Sequence, residues 1–111
     1  MQLNQAQKDA ILIRINDKFK KIRFSDIEYM QADGKYVTLN LGDRCYSIRS
    51  SMKALLIILP DNFIRIHASF IVNTYRIESI IIQEQNIELA NGSVPFSRKY
   101  KSSILDRFHI G

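Results

Sequence analysis

"FIRIHASFIVNTYRI", residues 63–77, begins by alternating like a strand. Ile64 and Ile66 fall on one face, and Arg65, His67 and Ser69 fall on the other. The polar face then stops, and Phe70, Ile71 and Val72 follow without a break up to Asn73 and Thr74. This predicts a half-buried strand that leads into the core. A strand that only faces solvent needs no row of Arg, His and Ser. A surface that meets an acidic ligand does.

The flanking sequence predicts many short strands. Ile11 to Ile15 and Phe19 to Phe24 surround the turn-forming Asn16-Asp17-Lys18. Asp26 to Gln31 reads as a strand ahead of an Asp33-Gly34 turn, and Tyr36 to Leu41 alternates cleanly after it. Cys45 to Ile48 answers across Gly42-Asp43-Arg44. Ser51 is placed to cap a helix in which Met52, Leu55, Leu56 and Leu59 share one face, and Pro60 ends it. Ile77 to Ile82, Asn86 to Ala90 and Ser93 to Ser97 read as further strands, the last two joined at Asn91-Gly92. Arg98 to Phe108 suits a short terminal helix. The expected fold is therefore mainly β: small antiparallel sheets of short strands, one short helix in mid-chain and a short C-terminal helix.

The chain has 111 residues and a formal net charge of +5, with a sequence pI of about 9.5. That length suits one domain, and the basic excess, spread along the chain, favours an acidic partner. The single cysteine, Cys45, allows no internal disulfide and fits a reducing cytoplasm. The longest apolar run, Ala54 to Leu59, is far short of a membrane span, and residues 1–10 lack the pattern of a signal peptide. Residues 1–10 read as a linker or an expression-derived end, and residues 11–111 as the domain.

The chemistry of enzymes is missing from this pattern. Two histidines, His67 and His109, and one cysteine give no metal-ligand spacing. Cys45 and His67 lie on different expected elements with no third group to orient them. No glycine-rich phosphate loop occurs, and the carboxylates are scattered. Neither enzyme, metal nor cofactor is expected.

What remains is a set of basic and hydroxyl residues at strand ends and turns. Lys35 and Tyr36 follow one turn. Arg49, Ser50, Ser51 and Lys53 surround the helix start. Arg65, His67 and Ser69 line the opening segment, and Ser97, Arg98, Lys99 and Lys101 crowd the approach to the last helix. Arg and Lys suit phosphates and the acceptor edge of guanine, while hydroxyls suit phosphate oxygens. Any one of these could simply be solvated. As a set they favour nucleic acid. A basic protein-interaction module and an RNA-binding domain stay open as alternatives.

"FIRIHASFIVNTYRIESI" resembles the signature of the LytTR family, the DNA-binding output domain of LytR/AlgR-type bacterial response regulators. The matching residues are Phe63, Arg65, His67, Ser69, Phe70, Ile71, Val72, Asn73, Ile77 and Ile80. "SDIEYMQADGKYVTLNL", "IRSSMKALLIILP" and "NGSVPFSRKYKSSI" are similar to the family's other motifs, in order, from Ile11 to Phe108.

The resemblance implies sequence-specific duplex DNA binding in transcription regulation, within a cytoplasmic two-component system, with loops entering successive major grooves. Base contacts are then expected from the loop with Lys35, from Ala68 after the motif His, and from Arg98. Ala68 departs from the Asn, Arg or Lys frequent there. It has no side-chain donor but can touch a thymine methyl. Arg65, His67 and Ser69 would form or support a phosphate-facing edge. Arg65 could equally pair with a carboxylate, His67 could bond within a turn, and Asn73 is expected to cap or turn the backbone. Implied partners are two adjacent DNA repeats and a receiver domain outside this chain, with the isolated domain monomeric in solution.

Overall fold

The structure is a computed structural model and describes residues 9–108. His109, with residues 1–8, lies outside the described residues. The ten strands are β1 (Ala10–Ile15), β2 (Lys18–Arg23), β3 (Tyr29–Asp33), β4 (Tyr36–Asn40), β5 (Cys45–Arg49), β6 (Phe63–His67), β7 (Phe70–Asn73), β8 (Ile77–Ile81), β9 (Asn86–Leu89) and β10 (Gly92–Pro95). The helices are α1 (Met52–Ile58) and α2 (Lys101–Asp106). All strand pairs are antiparallel. They form a β1-β2 ribbon, a five-stranded sheet in the order β5-β4-β3-β7-β6, and a three-stranded sheet in the order β10-β9-β8.

Period-two patterning decides which side chains enter the core. Val37 and Leu39 of β4 are buried, while Thr38 and Asn40 between them are only half-buried. The first core joins Ile13 and Ile22 of the ribbon to Met30, Val37, Leu39 and Ile71 of the large sheet, with Met52 and Leu55 of α1 closing it. The second lies between the sheets. It joins Ile64, Ile66 and Val72 to Ile87, Leu89 and Val94, with Ile104 of α2 and Phe96. Each of the fully buried aliphatic side chains contributes about 1.5–3 kcal/mol. α1 matches its expected face: Met52, Leu55 and Leu59 are buried, and the Ser51 hydroxyl oxygen accepts from the Ala54 N–H at 3.1 Å. Leu12, Ile57 and Ile58 remain exposed.

Three expectations change. Phe63 to Val72 is not one strand but the β6–β7 hairpin, broken at Ala68 and Ser69. Ser69 therefore sits in a turn and not on a strand face. The two apolar runs pair with each other, which hides both faces better than one long strand would. Asp26 lies in a single 3-10 turn (Phe24–Asp26), and β3 begins only at Tyr29. The cause is a buried pair of polar groups. Asn73 Nδ2 donates to the Ile27 carbonyl at 2.9 Å, and the Asn73 N–H donates to the Glu28 carbonyl at 3.0 Å. Leu89 pairs with Gly92, so the last hairpin turns on Ala90 and Asn91, one residue early. Asn91 is itself exposed, but its Nδ2 donates to the buried Glu28 Oε2 at 2.7 Å. Asn73 does turn the backbone as expected: its Oδ1 accepts from the Tyr75 N–H at 3.0 Å and from Asn62 Nδ2 at 2.8 Å.

Candidate nucleic-acid interface

The antiparallel registers bring distant segments to one end of the large sheet. Asp33 pairs with Tyr36, so the β3–β4 turn is Gly34 and Lys35, with Gly34 at φ 61. That positive φ at the first turn position is what a two-residue hairpin asks of its glycine. Lys35 is thus lifted to the tip and fully exposed. Tyr36 pairs with Arg49, which carries β5 and the start of α1 to the same end. The Ala32 N–H donates to the Ser69 carbonyl at 2.9 Å, and the Ser97 N–H donates to the Ile66 carbonyl at 2.9 Å. Those two bonds add the β6–β7 turn and the connection from β10 to α2. The chain therefore gathers four connections, from residues 33–36, 49–53, 67–69 and 97–101, into one loop end.

The β6–β7 turn is rigidly built. Arg65 Nη2 donates to the Ala68 carbonyl at 2.7 Å, and Arg65 Nε donates to the His67 carbonyl at 3.3 Å. The Ser69 N–H donates to His67 Nδ1 at 3.0 Å. With Nδ1 accepting, the free ring donor of His67 is Nε2–H. The His67 ring also meets Phe70 edge-on, 5.5 Å between centroids, which locks its plane. Ala68 is the exposed crown of this turn. Of the two roles open to Arg65, the carboxylate pair is not formed. Its guanidinium instead organises the turn that presents Ala68.

Arg98 is exposed in a single 3-10 turn (Arg98–Tyr100) ahead of α2. Asp106 does not pair with it, since the one ion pair among the described residues joins Arg44 to Asp43. Lys99 stands over the Tyr100 ring at 5.6 Å and Lys101 is half-buried, so Arg98 is the least engaged of the three. A recess of about 370 Å³ runs between the first three of these connections, lined by Lys35, Tyr36, Ser50, Ser51, Lys53, Arg65 and Ala68. Tyr36 and Ser50 also border a neighbouring recess that contains Arg49 and Arg14.

Arg14, which the sequence reading did not single out, lies beside these candidates. It sits one residue before the end of β1, exposed, with its guanidinium 5.9 Å from the centre of the Phe19 ring. Its Nε donates to the Asn16 carbonyl at 3.1 Å. An isolated Arg in an apolar strand carries no local signal; only the docking of the ribbon beside β5 brings it to the loop end. Among the described residues no group of three or more His, Cys, Asp or Glu could hold a metal, and no helix is long and apolar enough to cross a membrane. Cys45 is free and exposed.

Comparison with known proteins points the same way. The model of the LytTR DNA-binding domain matches residues 17–109. The sensory transduction protein LytT of Bacillus subtilis is 27% identical over 98% of this chain, which spans only 47% of that protein. An HTH-type transcriptional regulator of Staphylococcus aureus is 30% identical over 97% of this chain and 77% of its own length. Among solved structures, the LytTR DNA-binding domain of a methyl-accepting/DNA response regulator from Bacillus cereus superposes with a TM-score of 0.77 at 28% identity. It covers 88% of this chain and 94% of that one.

Proposed function

Because the chain belongs to the LytTR DNA-binding domain family, we propose that it binds duplex DNA with its loop end, reading bases from Lys35, Ala68 and Arg98 while flanking cations hold phosphates. The observation that carries this reading is the convergence of four connections on one end, with Lys35 and Arg98 exposed and outside any ion pair among the described residues. Exposed turns of this kind are narrow enough to enter a major groove, and an Arg can grip guanine N7 and O6 there. The two helices do not form a helix-turn-helix pair: α1 and α2 are separated by five strands.

The proposal includes the regulatory role. The chain acts in the cytoplasm as the output domain of a transcriptional response regulator, with a receiver domain as partner. It is a monomer alone and pairs on two adjacent repeats. The names of the relatives, a sensory transduction protein, a transcriptional regulator and a response regulator, support the regulatory role. The deciding experiment is selection of bound sequences from a random duplex library, with light scattering on the free domain. Enrichment of a short repeated motif is expected. A pool that stays random, or that loses to single-stranded RNA in competition, overturns the reading.

A further inference from the structure

A second basic cluster lies at the other end of the large sheet, where none of the four loops reaches. Lys20, Lys21 and Arg23 of β2 face Arg44, from the β4–β5 connection, and Arg76, which follows β7. They line a recess of about 350 Å³. The β4–β5 connection and the β3–β4 turn cap opposite ends of β4, a five-residue strand about 17 Å long. A duplex seated on the loop end therefore leaves this cluster facing away from it.

The cluster is held in place but not neutralised. Both Nε and Nη2 of Arg76 donate to the Ser25 carbonyl, which fixes the guanidinium without cancelling its charge. Arg44 meets Asp43 at 3.4 Å. Its hydrogen bond to Tyr46, and then the one to Asp43, raise its pKa further above the ordinary arginine value. Among the described residues, Asp26 and Asp43 are the only carboxylates that line the recess. Five cations against two carboxylates leave a clear positive excess.

The floor decides what kind of anion fits. Leu41 and Tyr46, both half-buried, line it between the cations, with Ile22 buried beneath them. A phosphate backbone has no apolar group to set against Leu41 and Tyr46. A peptide with acidic residues on either side of an apolar one satisfies both parts. We propose that this recess docks an acidic segment of a partner protein, one apolar side chain on the floor and flanking carboxylates on Lys21, Arg44 and Arg76, while the loop end holds DNA.

The test uses the whole chain and a fluorescent peptide, Glu-Glu-Leu-Glu-Glu, followed by anisotropy. The free chain is titrated first, so that this arm does not depend on the DNA reading; the chain loaded with its selected duplex is titrated second. Lys21→Glu with Arg44→Glu should lower peptide affinity by about tenfold or more. Lys21→Gln with Arg44→Gln should do so less, and both variants should keep the parent melting temperature and duplex affinity. A Glu-Glu-Ser-Glu-Glu peptide should bind more weakly. Undiminished binding by the reversed variant overturns the proposal. So does displacement of the peptide by the duplex, which would place it on the DNA face. So does equal affinity of the serine peptide, or preference for tripolyphosphate or a second duplex.

Discussion

Arg65 donates to the backbone carbonyl of Ala68, three residues ahead of it, at 2.7 Å. The strongest cation of the opening motif is thus spent on its own turn, and the residue it presents is an alanine. Arg65→Lys keeps the charge but loses the planar fork that reaches both the His67 and Ala68 carbonyls. Lys should therefore fail to rescue Arg65→Ala. Both should weaken specific DNA binding by about 1–2 kcal/mol and speed amide exchange at Ser69. A lysine variant that binds like the parent would show that charge alone matters there.

Arg98 and Lys101 should separate cleanly. Arg98→Ala is expected to cost about 1–3 kcal/mol on the selected site and to blur preference at one base pair. Lys101→Ala should weaken all sequences alike and lower the salt slope by about 1. Titration of each variant on selected and scrambled duplexes checks this; an unchanged specific-to-scrambled ratio for Arg98→Ala removes it from base reading.

Salt dependence measures the loop end as a whole. With about 5 phosphates neutralised, log K should fall with log salt at a slope of about −4 to −5. Arg14→Ala should bring that slope up by about 1 without changing sequence preference, because Arg14 lies on the ribbon beside the loops and not on a turn tip. A parental slope in Arg14→Ala would end its assignment to the interface.

Asn73→Ala should destabilise the domain rather than blunt recognition. The side chain is 1% exposed and bonds the Ile27 carbonyl, the Tyr75 N–H and Asn62. Leaving such groups unpaired costs about 2–4 kcal/mol in total, or roughly 10–20 °C in melting temperature. A variant that melts with the parent but loses DNA would reverse this assignment.

These outcomes bear on what the sequence could tell. Alternation in Tyr36 to Leu41 and the helical spacing from Met52 to Leu59 named strand and helix correctly, because each buries one face and obeys its own period. The Phe63–Val72 segment misled because both arms of its hairpin are apolar and the turn residues, Ala68 and Ser69, carry no glycine or proline signal. Local chemistry could not place Asn91 either, since its partner is a buried carboxylate far away in sequence. Much of the family signature proves to be scaffold. Arg65, His67 and Asn73 all close turns, and the exposed cations of the motifs are Lys35, Arg49, Lys53, Arg98 and Lys99. Arg14, and the cluster around Arg44, became visible only when the sheet ends were assigned.

The bond between Glu28 and Asn91 spans 63 residues. It forms where Gly42, at φ 95, leaves no room: a Cβ there would stand 2.7 Å from Asn91 Nδ2 and 3.1 Å from Glu28 Oε2. A nascent chain that has emerged only as far as β8 holds a carboxylate in its interior with no Asn91 to receive it. It also shows Ile64, Ile66 and Val72 to water, since Ile87, Leu89 and Val94 are still unmade. The second core closes only when the last hairpin and α2 arrive, and the Ser97–Ile66 bond that brings residues 97–101 to the loop end waits for the same segment.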